Sequence, residues 1–259
     1  MPARQPPNSA PVRAVINLTS AMLETGRVTR ADLSKHPKAV AAMFDNTAEG
    51  YDRMNAVATM GLEKLVWRPA TLAEVAPRKG LKILDLAAGT GASSIKLREA
   101  GAEVVSCDFS VGMLRVGKRR YPELDLIAGD ALRLPFAGET FDVVTISWAL
   151  RNVNDVGLAL REMLRVTRPG GRLVVLENSH PTWTPFRIAY LEYMMRAVPV
   201  VAKAVSTNPD AYEYLAESVR AWPAQEPLAR TIEAAGWTRV QWRNLTGGLV
   251  AIHRAVKPT

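Results

Sequence analysis

The 259-residue chain contains little cysteine and little histidine. Its one cysteine, Cys107, lies in an apolar run, so no internal disulfide framework can form and a reducing compartment is expected. The three histidines are scattered, and because no two have the spacing of metal ligands we predict no metal site. No uncharged apolar run reaches the ~18 residues of a membrane span. We therefore expect a cytoplasmic protein.

Acidic residues are also in deficit, with 25 against 33 basic ones and a formal net charge of +8 at pH 7. No block of lysine and arginine is interleaved with aromatic residues, so we predict no nucleic-acid partner. The positive charge instead fits peripheral contact with an anionic surface, at the inner face of the cell membrane. The oligomeric state stays open, a homodimer included.

Proline is concentrated at the start of the chain, with four prolines in the first eleven residues. Because proline fixes φ and lacks an N–H, we expect residues 1–37 to form a partly disordered extension. A secretory signal is not expected, since Arg13 and Asn17 interrupt the only candidate apolar run.

The stretch 81–108 has the order of one βαβ unit: an apolar run, a turn of small residues, a helical pattern and a second apolar run that ends in Asp108. In the turn, Gly89 and Gly91 can adopt positive φ and let a ligand approach the backbone. A carboxylate about twenty residues later can accept two hydrogen bonds from a ribose diol. The pattern predicts an adenosine cofactor, and its alternative is a turn that needs glycine only for packing.

The remaining apolar runs predict a doubly wound α/β fold with a mostly parallel sheet. Strands are expected at 124–128, 141–148 and 172–177, followed by a closing hairpin at 237–242 and 249–255. The hairpin predicts that one edge strand runs antiparallel to the rest.

Two segments flank this sheet. Helices before the first strand carry Phe44 and Tyr51, so they can cover the site as a lid or pack on the sheet. An insertion at about 181–220 is rich in aromatic residues and methionine. It predicts a helical cap that lines an apolar substrate pocket or, as the alternative, encloses a small second core.

Ligand-binding residues are expected at the carboxyl ends of the strands. The carboxylate of Asp130 can accept from the exocyclic amine of adenine, and the N–H of Ala131 can face a ring nitrogen. After the fourth strand, Ser147, Arg151 and Asn152 bring a hydroxyl, a guanidinium and an amide to the same rim. The alternative for Arg151 is a surface ion pair.

Several tracts resemble class I S-adenosylmethionine-dependent methyltransferases: LDLAAGTG at 84–91, CDFS at 107–110 and GDA at 129–131. Others narrow the resemblance to the ubiquinone/menaquinone biosynthesis C-methyltransferases, nearest to the branch that acts on demethylmenaquinone: TIS at 145–147, LRNV at 150–153, RVTRPGGRL at 165–173, YEYLAES at 212–218 and NLTGG at 244–248. The similarity covers about 38–257, which we take as the methyltransferase domain. It implies a Rossmann-like sheet of seven strands with an antiparallel C-terminal hairpin strand and a helical cap.

The resemblance implies that S-adenosyl-L-methionine donates a methyl group to a ring carbon of a prenylated quinol, with demethylmenaquinol becoming menaquinol in menaquinone biosynthesis. The implied cofactor-binding residues are Gly89, Thr90, Gly91, Asp108, Asp130, Ala131 and Ser147. We predict two catalytic residues: Arg151 would stabilise the developing oxyanion, and Asn152 would orient the hydroxyl or a water that accepts its proton. His253 and Tyr51 are alternatives.

Two departures from the family pattern affect the expected quinol pocket. Trp148-Ala149 stands where the family usually has Phe-Gly, and Asn178-Ser179-His180 stands where it usually has Phe-Ser-Lys. The alternative substrates are the benzoquinol intermediate of ubiquinone biosynthesis and another phenolic natural product. A nicotinamide-dependent oxidoreductase would use the same βαβ unit, but it gives no reason for the Asp130-Ala131 tract or the hairpin.

Overall fold

The computed structural model describes residues 32–190, 192 and 209–259. Most of the predicted extension 1–37 and the middle of the predicted insertion 181–220 lie outside the described residues. Within the described ranges, no helix is both long enough and apolar enough to cross a membrane.

The described chain forms one seven-stranded sheet in the order β3-β2-β1-β4-β5-β7-β6. The strands are β1 (Lys82–Leu86), β2 (Glu103–Asp108), β3 (Asp125–Ala128), β4 (Phe141–Ser147), β5 (Thr167–Asn178), β6 (Thr238–Leu245) and β7 (Val250–Val256). Strands β1 to β5 pair in parallel, which confirms the predicted doubly wound, mostly parallel α/β sheet.

The place of the antiparallel strand differs from the prediction. Strand β7 runs antiparallel to both β5 and β6, so it lies inside the sheet and β6 forms the edge. The predicted antiparallel strand of the C-terminal hairpin is confirmed, but it does not lie at the edge of the sheet, because the hairpin folds its last strand back between β6 and the parallel part of the sheet.

Helices cover both faces of the sheet. They are α1 (Pro37–Thr47), α2 (Tyr51–Ala58), α3 (Arg68–Val75), α4 (Ser94–Glu99), α5 (Val111–Arg120), α6 (Val156–Val166), α7 (described over 184–190), α8 (Pro209–Ala221) and α9 (Gln225–Ala234). Shorter turns have π geometry at Glu63–Trp67 and 3-10 geometry at Leu150–Asn152 and Thr246–Gly248.

Each face of the sheet buries its own core. Successive residues of a strand point to opposite faces, and Leu84 and Ile83 of β1 accordingly belong to different cores. Leu84 packs with Leu160 of α6, whereas Ile83 packs with Val75 of α3 and Leu97 of α4. Both β1 side chains are fully buried, as expected for a parallel strand covered on both faces.

Helix α5 begins directly after Ser110. The Ser110 hydroxyl accepts a hydrogen bond from the Met113 N–H at 3.1 Å, which makes Ser110 the N-cap. Asp155 caps α6 in the same way, accepting from the Leu158 N–H at 2.8 Å. These caps fix the two helices directly after the carboxyl-terminal rim of the sheet.

Candidate functional site

A cleft opens at the carboxyl ends of β1, β2 and β4. Its floor is formed by residues at 85–90, 108–110, 129–132 and 146–149. Helices α1 and α2, which we call the lid, cover it with an apolar and aromatic surface that includes Val40, Phe44 and Tyr51. The rings of Phe44 and Tyr51 meet edge to face with centroids 6.1 Å apart. The predicted lid position of these helices is therefore what the structure shows.

The cleft brings together most of the predicted site residues: Gly89, Thr90, Asp108, Asp130, Ala131, Ser147 and Asn152. Gly91 does not line it. A Cβ built at Gly91 would lie 2.6 Å from Leu124 Cδ1, so this glycine serves the packing of the turn on the core. At Gly89, by contrast, a built Cβ meets no atom within 4 Å, which leaves open space for a ligand against the backbone.

Asp108 links the two strands of the βαβ unit. Its Oδ2 accepts from the Gly89 N–H at 2.7 Å, and its Oδ1 accepts from the Ser110 N–H at 2.7 Å. Burial raises the pKa of Asp108, while these backbone hydrogen bonds oppose the rise by favouring the carboxylate. The remaining lone pairs of the carboxylate are the ones that a ribose diol can use.

The floor of the cleft carries further acidic groups. Asp85, at the end of β1, accepts a hydrogen bond from the Ser94 hydroxyl at 2.6 Å, and burial raises its pKa to about 6. Asp130 accepts from the Leu132 N–H at 2.9 Å, which orders the turn that holds Ala131. Carboxylates at the ends of three neighbouring strands favour a ligand that carries positive charge at this end of the cleft.

Acidic side chains of the lid hold it against the floor. Asp45 of α1 accepts from the Ser110 hydroxyl at 2.5 Å and from the Gly112 N–H at 2.8 Å. Asp52 of α2 accepts from the Thr90 hydroxyl at 3.1 Å and also contacts Arg120 of α5. The hydroxyl of Thr90, a predicted cofactor contact, is thus also a contact of the lid.

The close approach of the lid requires glycine at the start of α5. A Cβ built at Gly112 would lie 2.7 Å from Asp45 Oδ1 and 2.9 Å from Asp45 Cα. Real Cβ atoms do not make contacts this short with backbone, so a side chain here would displace α1.

Arg151 does not line the cleft. Its guanidinium is buried and its Nη1 donates to Glu177 Oε1 and to the Trp148 carbonyl, both at 2.6 Å. The predicted alternative, a surface ion pair, is also not what is found, because Arg151 and Glu177 are both buried. Direct contact of this guanidinium with a substrate oxygen would require it to leave a buried carboxylate.

Trp148, whose carbonyl accepts a hydrogen bond from Arg151, has an unusual backbone conformation. Trp148 has φ 62°, a conformation that bulky residues rarely adopt, at the end of β4 in the cleft wall. Its N–H donates to the Leu176 carbonyl at 2.9 Å, its carbonyl accepts from Arg151, and its ring packs on Trp67 with centroids 5.3 Å apart. These contacts hold the indole in place.

Asn152 lines the cleft, as predicted. Its Oδ1 accepts from the hydroxyl of Tyr214 in α8 at 3.0 Å, which sets the orientation of the amide. Burial raises the pKa of Tyr214, so its hydroxyl is a donor at neutral pH. Tyr214 also belongs to a hydrophobic cluster with Val40 and Phe44 of the lid, although no described residue of the insertion 181–220 lines the cleft.

Tyr51 and His253, the two alternatives to the predicted catalytic residues, lie apart from each other. Tyr51 is in the lid and lines the cleft, and burial raises the pKa of its hydroxyl. His253 is buried in β7, where its Nε2 lies 2.9 Å from the Gln225 carbonyl, and it does not line the cleft. His180 likewise lies elsewhere, with its Nε2 2.8 Å from the Trp222 carbonyl.

Sequence reasoning missed three residues of this region: Lys35, Glu177 and Tyr214. Lys35 lines the cleft from the segment before α1, although no local motif marks it. In the sequence, Glu177 is only the last residue of the predicted strand 172–177, and Tyr214 is only part of the aromatic-rich insertion and of the tract YEYLAES at 212–218. Each reaches the site through contacts between distant parts of the chain.

Residues 29–257 match the model of the ubiE/COQ5 methyltransferase family. The chain belongs to this family. Membership confirms the predicted methyltransferase and its cofactor, S-adenosylmethionine, and it sets aside the nicotinamide alternative.

Similar proteins include those named demethylmenaquinone methyltransferase from Streptomyces avermitilis and from Parafrankia sp. The first is 59% identical over 230 residues, covering 89% of this chain and 99% of the relative. The second is 54% identical over 251 residues, covering 89% of this chain and 98% of the relative.

Solved structures with the same fold are much more distant in sequence. The [4+2]-cyclase SpnF has a TM-score of 0.64 and 18% identity, covering 89% of this chain and 98% of its own. A Haloferax volcanii structure of a Trm112 methyltransferase activator with a putative methyltransferase gives a TM-score of 0.61 at 17% identity, covering 83% of this chain and 98% of that one. These likenesses show the class I methyltransferase fold and confirm that part of the fold prediction.

Proposed function

We propose that this chain transfers a methyl group from S-adenosylmethionine to a ring carbon of demethylmenaquinol and so forms menaquinol. The observation that carries the proposal is the composition of the cleft. A row of carboxylates suited to a cationic nucleoside adjoins an aromatic and apolar surface under the lid, where a flat ring fits. The names of relatives at 54–59% identity support the choice of quinol.

The residues that would hold the cofactor are those of the floor. Asp108 would bind the ribose hydroxyls, and Asp130 with Ala131 would bind the adenine edge. The open space at Gly89 lets the amino-acid part of the cofactor approach the backbone. When bound there, S-adenosylmethionine supplies an electrophilic methyl group on a positively charged sulfur, and the acidic floor compensates that charge.

The substrate needs activation, because a quinol ring carbon is a weak nucleophile until a hydroxyl ionises. Ionisation delocalises negative charge onto the ring carbon, which then forms a bond to the methyl carbon as the bond from methyl to sulfur breaks. The ring carbon would then lose its proton to water, which restores aromaticity. The contribution of the cleft would be to fix the ring in line with the methyl group.

Of the two predicted catalytic residues, Asn152 is placed to act directly. Its amide lines the cleft and is held by Tyr214, so it can orient the hydroxyl or a water that accepts the proton. Arg151 supports the site from behind. Through its hydrogen bond to the Trp148 carbonyl it fixes the cleft wall, and its positive charge, although paired with Glu177, lies next to Asn152.

Peripheral membrane contact belongs to the same proposal, because a prenylated quinol resides in a bilayer. Two described segments expose large apolar side chains: Trp183 is 68% and Ile188 59% exposed, and Met60 and Leu65 are 83% and 73% exposed. Both segments contact the turn at 246–248, through Thr182 on one side and Trp67 on the other. Arg196 and Lys203, two basic residues of the predicted insertion, lie outside the described residues.

The proposal is tested by offering the purified protein demethylmenaquinol and the demethylated benzoquinol side by side with S-adenosylmethionine. We expect methylation of the naphthoquinol with at least tenfold higher kcat/KM. Preference for the benzoquinol would move the function to ubiquinone biosynthesis, and methylation of neither would indicate another phenolic substrate.

A further inference from the structure

Lys35, from the segment before α1, lines the cleft. Its Nζ donates to the Val153 carbonyl at 3.3 Å and lies 5.7 Å from the centre of the Trp222 ring. Val153 directly follows Asn152 in the chain, and Lys35, Asn152 and Val153 all line the cleft.

Charge pairing distinguishes Lys35 from the other basic residues near the cleft. Of the described residues that line it, two are cations, Lys35 and Arg68. Arg68 is bound to the Glu63 carboxylate, with Nη2 and Nε at 2.9 and 3.0 Å. Arg151 is bound to Glu177. For Lys35, no carboxylate among the described residues lies within ion-pair distance, so within the part of the chain that the structure describes its ammonium has no direct counter-ion.

The surroundings of Lys35 favour an added anion. Burial and the nearby Arg151 lower its pKa, while Glu177 raises it. An ammonium that is partly removed from water and faces an arginine gains stability from any anion that enters the cleft. The charged groups that act on Lys35 are Arg151 of the 3-10 turn and Glu177 of β5, and these two neutralise each other.

We propose that Lys35 is a catalytic residue whose ammonium binds the ionised hydroxyl oxygen of the quinol. The inference rests on the proposed function. The hydroxyl proton passes to water, the oxygen keeps the electron pair, and the ammonium stabilises the anion whose charge reaches the reacting ring carbon. The carboxylates of the floor would then compensate the positive charge of the sulfur, and Lys35 would compensate the negative charge of the oxygen.

A spectroscopic titration tests the inference without turnover. The probe is 4-methoxy-1-naphthol, which has the ring system of the substrate, one ionisable hydroxyl and a naphtholate absorption band. With saturating wild-type protein and S-adenosylhomocysteine, we expect the pKa of the probe to fall by at least one unit, and with Lys35→Met we expect the free-solution value. A probe that keeps its free-solution pKa with the wild-type protein would overturn the inference.

Turnover of charge variants gives the second test. We expect Lys35→Met to lower kcat on the order of 10²-fold, as for loss of one oxyanion contact, with unchanged affinity for S-adenosylhomocysteine. Lys35→Arg keeps the charge and should retain most of the activity. The matched control is Lys38→Met, which removes an exposed lysine three residues away. Equal kcat for the two methionine variants, or equal losses in Lys35→Met and Lys35→Arg, would contradict the role of the charge.

The two proposals fail in different ways. If the wild-type protein does not methylate demethylmenaquinol but still lowers the pKa of the naphthol through Lys35, the proposed function fails and the charge role of Lys35 survives. If the wild-type protein methylates demethylmenaquinol and Lys35→Met is equally active, the proposed function survives and the charge role of Lys35 fails.

Discussion

The guanidinium of Arg151 lies 2.6 Å from the carboxylate of Glu177, and the two side chains are only 8% and 1% exposed. An ion pair this deeply buried is costly to break, because the remaining charge has neither water nor a partner. The same guanidinium holds the Trp148 carbonyl at 2.6 Å, where the backbone has a positive φ. The pair therefore fixes the shape of the cleft wall from behind.

Breaking this pair is expected to cost much more than breaking a surface pair. We expect Arg151→Met and Glu177→Gln each to lower the free energy of unfolding by about 3–5 kcal/mol, and the double variant to lose less than the sum. The control is the more exposed pair of Arg168 and Asp142, in which the two charged groups are 2.7 Å apart and Arg168→Met should cost no more than about 1 kcal/mol. Urea denaturation measures all four, and strict additivity would contradict a coupled buried pair.

The lid should depend on glycine at the second position of α5. Because a Cβ at Gly112 would collide with the backbone of Asp45, we expect Gly112→Ala to displace α1 and to lower methyl transfer at least tenfold. Hydrogen exchange of α1 should increase at the same time. Gly157→Ala is a matched control, since Gly157 is the second residue of α6 and a Cβ there meets mainly the end of the Arg161 side chain. Similar exchange in the two variants would show that Gly112 does not hold the lid.

Asp85 should make stability depend on pH in a defined direction. Its pKa is about 6 in the folded protein and 3.8 as the ordinary value, so between these values the folded state binds more protons than the unfolded state. Ionisation as the pH rises through 6 therefore destabilises the fold, by up to about 3 kcal/mol for a shift of this size. The Asp85→Asn variant has no ionisable group at this position, so its fold is not destabilised in this way.

We expect the stability of Asp85→Asn, relative to the wild-type protein, to increase between pH 4 and pH 7. Other carboxylates titrate in both proteins and cancel in the comparison. Urea denaturation at several pH values measures the difference, and parallel curves for the two proteins would mean that Asp85 titrates normally.

Membrane contact should depend on the exposed tryptophan that follows β5. We expect flotation of the protein with vesicles that contain anionic lipid at low salt, and Trp183→Gln should weaken binding about tenfold, which corresponds to about 1.4 kcal/mol. Trp242→Gln is the control, because Trp242 is also exposed but lies on the edge strand β6. Absence of flotation for the wild-type protein would remove the membrane proposal.

The parts of the fold that follow from local patterns could be predicted from the sequence. The turn at Gly89 and the carboxylate of Asp108 belong to one βαβ unit, in which the chain order itself brings them together. The N-cap at Ser110 is also a local feature, because its hydroxyl accepts a hydrogen bond from an N–H only three residues later. What the sequence did not reveal depends on pairing across the sheet or between distant segments.

Three cases show this limit. Arg151 and Glu177 meet because β4 and β5 are neighbours, and nothing near either residue distinguishes a buried pair from a surface one. Strand β7 enters the sheet between β5 and β6, although a hairpin pattern is equally compatible with β7 at the edge. Lys35 reaches the cleft because the lid folds over the sheet, a contact between residues 118 positions apart.

The position of the new bond tests the central claim most directly. S-adenosylmethionine with a trideuterated methyl group is incubated with the protein and demethylmenaquinol, and the product is examined by mass spectrometry and NMR. We predict a menaquinol that carries the three deuterium atoms on a methyl group bonded to a ring carbon, with both ring hydroxyls unmethylated. A deuterated methyl group on a quinol oxygen, or a product without deuterium, would contradict the claim.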